Sequence, residues 1–295
     1  AAGTGGGADA ASINFTGAVV IAGGDLTLTS GNGTIDFSST INSEASQTRA
    51  LELASGSGAV AINGTVGAGT NGTLGNLTIN SAGTGNITLS TVGADAAAGA
   101  AVIAVGNGNT GTLTLSGVDY HSGSSAQTYT GNTILITGTD PTFTASNANI
   151  SFVDGGTADI TLSDPADLTI RTSGGNIDIE PRIIGTADAA ADSVIRLDAG
   201  GGTLTLDNTG GALISQDIGN VTLIGSTVTL GQDITSDTGD IDMYDAMKAY
   251  FDAGLQCTIR PDHVPTMETE DNKLPGYHLL GRLFALGYLK GLMES

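Results

Sequence analysis

Asp159-Ile-Thr-Leu162, Asp167-Leu-Thr-Ile170 and Asn176-Ile-Asp-Ile179 follow one another in quick succession. Each run sets aliphatic residues at alternate positions and Thr or Asp between them, the period of two that marks a half-buried strand. Ile160, Leu168 and Ile177, like Val221 and Val228 further on, lie seven to nine residues apart. That spacing leaves no room for intervening helices and fits an all-β architecture.

The same run recurs in both directions along the chain. It appears as Asp25-Leu-Thr-Leu-Thr29, Asn76-Leu-Thr-Ile79, Asn86-Ile-Thr-Leu89, Thr112-Leu-Thr-Leu115, Thr203-Leu-Thr-Leu206, Asn220-Val-Thr-Leu223 and Thr227-Val-Thr-Leu230. Gly-Asn recurs at 75–76, 85–86, 131–132, 175–176 and 219–220, a pair suited to corners that need a left-handed or turn conformation. A β-helix and a β-sandwich both accommodate such a pattern. Repetition of one strand and one turn favours the β-helix, because each coil can then bury its aliphatics against its neighbours alone. Such a stack needs few aromatics, and residues 1–239 hold only Phe15, Phe37, Tyr120, Tyr129, Phe143 and Phe152. The expected fold is mainly β: a right-handed β-helix (β-solenoid) over residues 1–239.

Composition breaks near residue 240. Residues 1–239 contain no Lys, Met, Cys or Trp, whereas residues 240–295 hold Lys248, Lys273, Lys290, all four Met and Cys257. The first part carries 41 of the 46 Gly, and its 21 acidic residues against four Arg give a formal balance of −17. The second has nine acidic against five basic residues, or −4. Four scattered arginines cannot build a basic patch, so nucleic acid and anionic lipid are excluded as partners of the larger part. One cysteine forbids an internal disulfide, and no run approaches the ~18 apolar residues of a membrane span. The chain opens on Ala-Ala-Gly-Thr-Gly without Met, basic n-region or apolar h-region, which implies a removed export signal or a fragment.

Some local motifs point to chemistry and are discounted. Gly106-Asn-Gly-Asn-Thr-Gly111 has dinucleotide-loop spacing, but Thr112-Leu-Thr-Leu115 follows where a phosphate site needs a helix N-terminus. His121, in Asp119-Tyr-His-Ser-Gly, has no partner at metal spacing and reads as a loop histidine. Asn-x-Ser/Thr triplets such as those at Asn14, Asn63 and Asn86 are expected by chance in so Asn- and Thr-rich a chain. Outward Asp residues could form Ca²⁺ ladders, but the tandem Gly-Gly-x-Gly-x-Asp repeat is absent and solvated acids are the default reading.

Beyond residue 240 the period becomes helical. Asp242 can cap a helix over about 243–253, with Tyr244, Met247 and Phe251 on one face and Gly254 as its stop. Cys257-Thr-Ile259 reads as a brief strand, Arg260-Pro-Asp-His263 as its end, and Leu279–Leu292 as a second helix. That order matches the closing unit of a parallel α/β barrel, whose reactive side chains stand at strand C-termini.

The repeats of residues 1–239, Gly-Asn-Ile-Thr-Leu and Gly-Asp-Leu-Thr-Leu, resemble filamentous haemagglutinin-like and autotransporter-type exoproteins. This implies an extracellular or cell-surface rod that adheres to a surface or glycan ligand, or acts as a spacer. Arg260-Pro-Asp-His-Val-Pro-Thr266, Pro275-Gly-Tyr277 and Gly281–Leu292 resemble the C-terminus of mannonate dehydratase, so 240–295 reads as a short α/β segment from a (β/α)₈ barrel. That family is cytoplasmic, uses Mn²⁺ and dehydrates D-mannonate to 2-keto-3-deoxy-D-gluconate. The resemblance implies Asp262 as a metal ligand and His263 and Tyr277 as acid/base catalysts. Removing a proton beside a carboxylate and expelling a β-hydroxyl needs a metal, a base and an acid, which these types supply.

The resemblance also implies further His and Cys ligands from earlier barrel strands. Upstream the chain offers only His121, and Cys257 does not correspond to the family's ligand. One βα unit cannot close a barrel of about 250 residues, so activity from this polypeptide alone is not expected. Gly239-Asp-Ile-Asp242 fits both the repeat and the lead-in to the enzyme's helix, which makes it a natural crossover point. The leading expectation is a chimeric or fragmentary chain, an adhesin-type solenoid joined to a dehydratase terminus. The alternatives are a true mannonate dehydratase, a lyase of hexuronate catabolism, and a fusion whose tail caps the rod.

Overall fold

Period-two patterning becomes a stack of parallel coils. The computed structural model describes residues 11–236, apart from 69–71, 81–82, 94–98, 107–110, 156–158, 164, 187–191 and 209, together with the backbone of 241–242. The chain divides into two units, Ala1–Met243 and Tyr244–Ser295. The helices expected near 243–253 and 279–292 and the strand expected at 257–259 lie outside the described residues.

The first coil consists of three short strands, Ile13–Phe15, Val19–Ile21 and Leu26–Thr29, each starting a different face. One face is a nine-stranded sheet running from Ile13–Phe15 to Ile214–Ser215. A second nine-stranded sheet runs from Leu26–Thr29 to Thr227–Leu230. On the third face, Val19–Ile21 pairs with Ile41–Ser43, single bridges carry the ladder through Val66 and Val92, and a six-stranded sheet continues from Asp119–His121 to Ile241–Asp242. Every strand pairing among the described residues is parallel. A sandwich would need antiparallel sheets, so the β-solenoid reading holds and the sandwich is excluded. No helix occurs among the described residues.

Strand register stacks like on like. On the first face Ile35, Val60, Ile87, Leu113, Ile134, Ile160, Ile183 and Ile214 form one inward column. All are essentially fully buried. On the second face the column Leu51, Leu77, Ile103 is continued by Gln127 and then Ile150, Ile177 and Leu204. Each buried aliphatic contributes about 1.5–3 kcal/mol. Parallel sheets are usually covered on both faces and read as unbroken hydrophobic runs. Here the coil closes on itself, so only the inner face is covered and the alternation survives.

The corners correct one expectation. None of the Gly-Asn pairs at 75–76, 85–86, 131–132, 175–176 and 219–220 has positive φ at either residue, and three of them lie within or against strands: Gly75-Asn76 in Leu74–Ile79, Gly131 in Gln127–Gly131, and Gly219-Asn220 in Ile218–Ile224. Glycine is required by close approach between coils. A Cβ at Gly85 would fall on the Gly58 carbonyl, and one at Gly175 on the Ala148 carbonyl. Left-handed geometry sits elsewhere, at Gly31 (φ 71°) and Gly106 (φ 71°), each also followed by Asn, and at corners such as Gly56 (φ 61°).

Gly85→Ala should therefore destabilise the protein by about 1–3 kcal/mol through overpacking. Gly24→Ala, where a Cβ meets nothing within 4 Å, should change it by less than about 0.5 kcal/mol. Denaturant unfolding of both variants measures the difference, and equal effects would refute the close-approach explanation.

Candidate functional site

The exterior of the coils is where a solenoid can present chemistry, and its most regular feature is a set of side-chain acceptors at the corners. The Asp or Asn in front of a strand accepts a hydrogen bond from the backbone N–H at the matching position of the next coil. Asp25 Oδ1 accepts from Ala50 (2.9 Å), and Asn86 Oδ1 from Thr112 (3.1 Å). Two columns extend over three coils. In one, Asn149 Oδ1 accepts from Asn176 (2.9 Å) and Asn176 Oδ1 from Thr203 (3.0 Å). In the other, Asp140 Oδ1 accepts from Asp167 (3.1 Å) and Asp167 Oδ1 from Val194 (2.8 Å). The partners lie 25–27 residues apart, one coil's length. A backbone N–H at or next to the start of a strand is thereby paired with a side chain of the preceding coil, where it would otherwise depend on water. The corner acids expected to be merely solvated are in this way part of the framework.

The remaining charges are arranged locally. Arg49 pairs with Glu44, Arg182 with Asp159 and Arg196 with Asp198, each at 2.6 Å. Three of the four arginines before residue 240 are thus held by carboxylates, and the outer surface keeps its negative field. The Arg49 guanidinium, helped by the Gly23 N–H, holds the Glu44 carboxyl below its usual range. Partial burial, with the nearby Asp207 charge, pushes the Asp178 carboxyl up. Large exposed apolar side chains among the described residues are limited to Val20 and Val118, which are too few to form an apolar patch.

His121 departs from its sequence reading. It lies on the strand Asp119–His121 and is 9% exposed, a buried residue rather than a loop one. Gly106 adopts φ 71° and a strand follows at Thr112–Leu115, so the Gly106–Gly111 motif has no helix behind it; residues 107–110 lie outside the described residues. Among the described residues no group of three or more His, Cys, Asp or Glu is placed to hold a metal ion. Asp262, His263, Tyr277 and Cys257 lie outside the described residues. The described side chains of the solenoid do not fit a Mn²⁺ site.

Sequence reasoning missed the polar group inside the core. Gln127 is fully buried; the two N–H groups of its Nε2 are shared among three acceptors, the Tyr120 carbonyl (3.0 Å), Ser122 Oγ (3.1 Å) and the Thr144 carbonyl (2.7 Å), and its Oε1 accepts from the Tyr129 hydroxyl (2.9 Å). Burial pushes the Tyr120 and Tyr129 phenols above their usual range. The alternation of Gln127 with Tyr129 was the available signal, because both fall in phase with the inward aliphatics of neighbouring strands.

The class of protein defined by these features is a mainly-β solenoid of parallel coils. A family model described as D-mannonate dehydratase (UxuA) matches residues 226–295. The mannonate dehydratase of Lactococcus lactis subsp. cremoris (strain MG1363) is 42% identical over 60 residues, covering 20% of this chain and 16% of that protein. That of Lactococcus lactis subsp. lactis (strain IL1403) is 44% identical over 57 residues, 19% and 16% of the two chains. The Brachyspira hyodysenteriae (strain ATCC 49526 / WA1) enzyme is 40% identical over 60 residues, 20% and 17%. The chain thus spans about one sixth of the length of the curated relatives it matches. No solved structure matches the chain. The family match starts inside the solenoid, since Thr227–Leu230 is its last strand on the second face and Ile241–Asp242 pairs with Val221–Thr222. It therefore reaches further upstream than residue 240, where the motifs first suggested it.

Asn176→Ala should cost about 1 kcal/mol by removing the acceptor for the Thr203 N–H, while Asn176→Asp, which keeps an acceptor oxygen, should be close to neutral. Thermal unfolding of the pair checks this, and an equal loss in both would refute the stapling role.

Proposed function

We propose that this chain is an adhesin-type β-solenoid, a structural or binding rod, joined to the C-terminal segment of a mannonate dehydratase and not catalytic as it stands. One observation carries the reading: the described part of residues 13–230 is committed to a solenoid of parallel coils. A (β/α)₈ barrel needs each strand followed by a helix, and chain already wound into coils cannot supply the strands that would complete a pocket around Asp262. In a complete enzyme Asp262 would hold Mn²⁺, with His263 and Tyr277 as acid/base groups acting on D-mannonate. For the rod, the repeats' likeness to filamentous haemagglutinin-like and autotransporter-type exoproteins and its anionic, Thr-rich exterior support an extracellular or cell-surface location with a surface or glycan ligand.

A second reading is favoured by the overlap at the joint. The stretch that matches the dehydratase model supplies Val228 and Leu230, which lie over Leu204 and Leu206, and Ile234, which bridges to Ile214. The start of the enzyme-like segment then acts as a cover for the last coil of the rod, whatever the remainder does.

Incubating the purified chain with D-mannonate and Mn²⁺ should give no 2-keto-3-deoxy-D-gluconate above a protein-free control; turnover would overturn the leading proposal in favour of a true dehydratase. Truncation after Ser226 should expose Leu204 and Leu206 and produce aggregates in size-exclusion chromatography, whereas truncation after Met243 should leave the rod monodisperse. Equal behaviour of the two truncations would remove the covering role.

A further inference from the structure

We propose that the buried block Tyr120–Gln127–Tyr129–Phe143–Phe152 is a register lock, the element that selects one alignment of neighbouring coils from several that the repeats would otherwise allow. The need for one follows from the repeats themselves. In Leu-Thr-Leu strands both inward positions are aliphatic, so sliding one strand by two residues keeps every inward side chain inward and nearly conserves the buried volume. Only a slide by one residue reverses the faces. Leu204 and Leu206 against Ile177 and Ile179, or Leu51 and Leu53 against Leu77 and Ile79, carry little information that separates the native pairing from a two-residue slide.

The block breaks this degeneracy in adjacent coils. Tyr120 pairs in register with Phe143, and their rings stack with centroids 4.5 Å apart. Tyr129 pairs in register with Phe152, stacked at 5.0 Å. Edge contacts of Tyr129 with Phe143 (5.3 Å) and of Phe143 with Phe152 (5.2 Å) tie the two faces together. A two-residue slide that brings Thr128 to Val153 sets Tyr129 against Asp154 and Gln127 against Phe152, and dissolves the second stack. The polar members add direction. Tyr120 Oη donates to the Leu89 carbonyl of the preceding coil (3.0 Å) and accepts from the Gly117 N–H (2.8 Å). Gln127 Nε2 reaches the Thr144 carbonyl of the following coil (2.7 Å). The block is therefore hydrogen-bonded to the coil on either side. A displaced pairing strands buried donors and acceptors with no water to replace their partners. A single buried polar residue fixes register in the same way in coiled coils.

Cysteine cross-linking reads the register directly. Thr128 and Ser151 are register partners, both half-buried on the outward side of their strands. Neighbouring strands lie about 4.8 Å apart, within disulfide reach, while the diagonal pair Thr128/Val153 lies beyond the ~4.4–6.8 Å Cα separation that a disulfide spans. In the full chain with Cys257→Ser, denatured and refolded in a glutathione redox buffer, Thr128→Cys/Ser151→Cys should close and Thr128→Cys/Val153→Cys should not. Adding Gln127→Leu, and separately Tyr129→Leu with Phe152→Leu, should raise closure of the diagonal pair at least tenfold. A distant register pair, Thr205→Cys/Thr229→Cys, reports in parallel that each variant has formed its coils. Diagonal closure that stays at the background level while the distant pair closes would overturn the proposal. Loss of closure at the distant pair as well would assign the block general stability instead of register selection, and would overturn it equally.

Discussion

Everything in this solenoid depends on the parallel ladder between one coil and the next, and on that ladder bringing inward side chains directly over inward side chains. A strand of three or four residues has too few hydrogen bonds and too little buried surface to persist alone. It persists because the coil above and the coil below complete its backbone pairing and cover its aliphatics, so stability is a property of neighbours. The columns from Ile35 to Ile214 and from Leu51 to Leu204 are the interior consequence of that requirement. The exterior consequence is the set of Asp and Asn side chains that accept the next coil's N–H at or next to the start of a strand.

The same constraint organises chemistry. Spacing between coils leaves no room for a Cβ at Gly85 or Gly175, and it turns Asp25, Asp140 and Asp167 into backbone acceptors, so that part of the negative charge is framework. The match to mannonate dehydratase enters this framework at its last coil, where residues 226–230 satisfy the repeat and the enzyme-like sequence at once. The alternation that pairs Thr227–Leu230 with Thr203–Leu206 is the same one found throughout the solenoid.

Legibility in the sequence followed the range of the interaction concerned. Ile160, Leu168 and Ile177 could be read as successive strands because side-chain alternation is local, and they became the three faces of one coil. Gly85-Asn86 could be read as a corner, but its reason was misjudged: the need for glycine lies in Gly58, a coil away, and φ carries no sign of it. His121 looked like a loop residue because its neighbours Ser122 and Gly123 are turn formers, yet pairing with Thr144 draws it into a strand. Asp262, His263 and Tyr277 were legible only as motifs, since a motif names residue types and the convergence of ligands is a matter of distant chain.

By itself the amino-acid sequence determined the strand period, the class of fold, the anionic exterior, the absence of a basic surface among the repeats and the dehydratase-like terminus, because alternation, charge and short motifs are written in adjacent residues. Only the tertiary structure decided which residues stack, which glycines are obligatory, which Asp and Asn become staples, and that Gln127 sits satisfied among aromatic rings. Those outcomes depend on pairs some 25 residues apart meeting at the few ångströms that separate one coil from the next, a distance that no local pattern encodes.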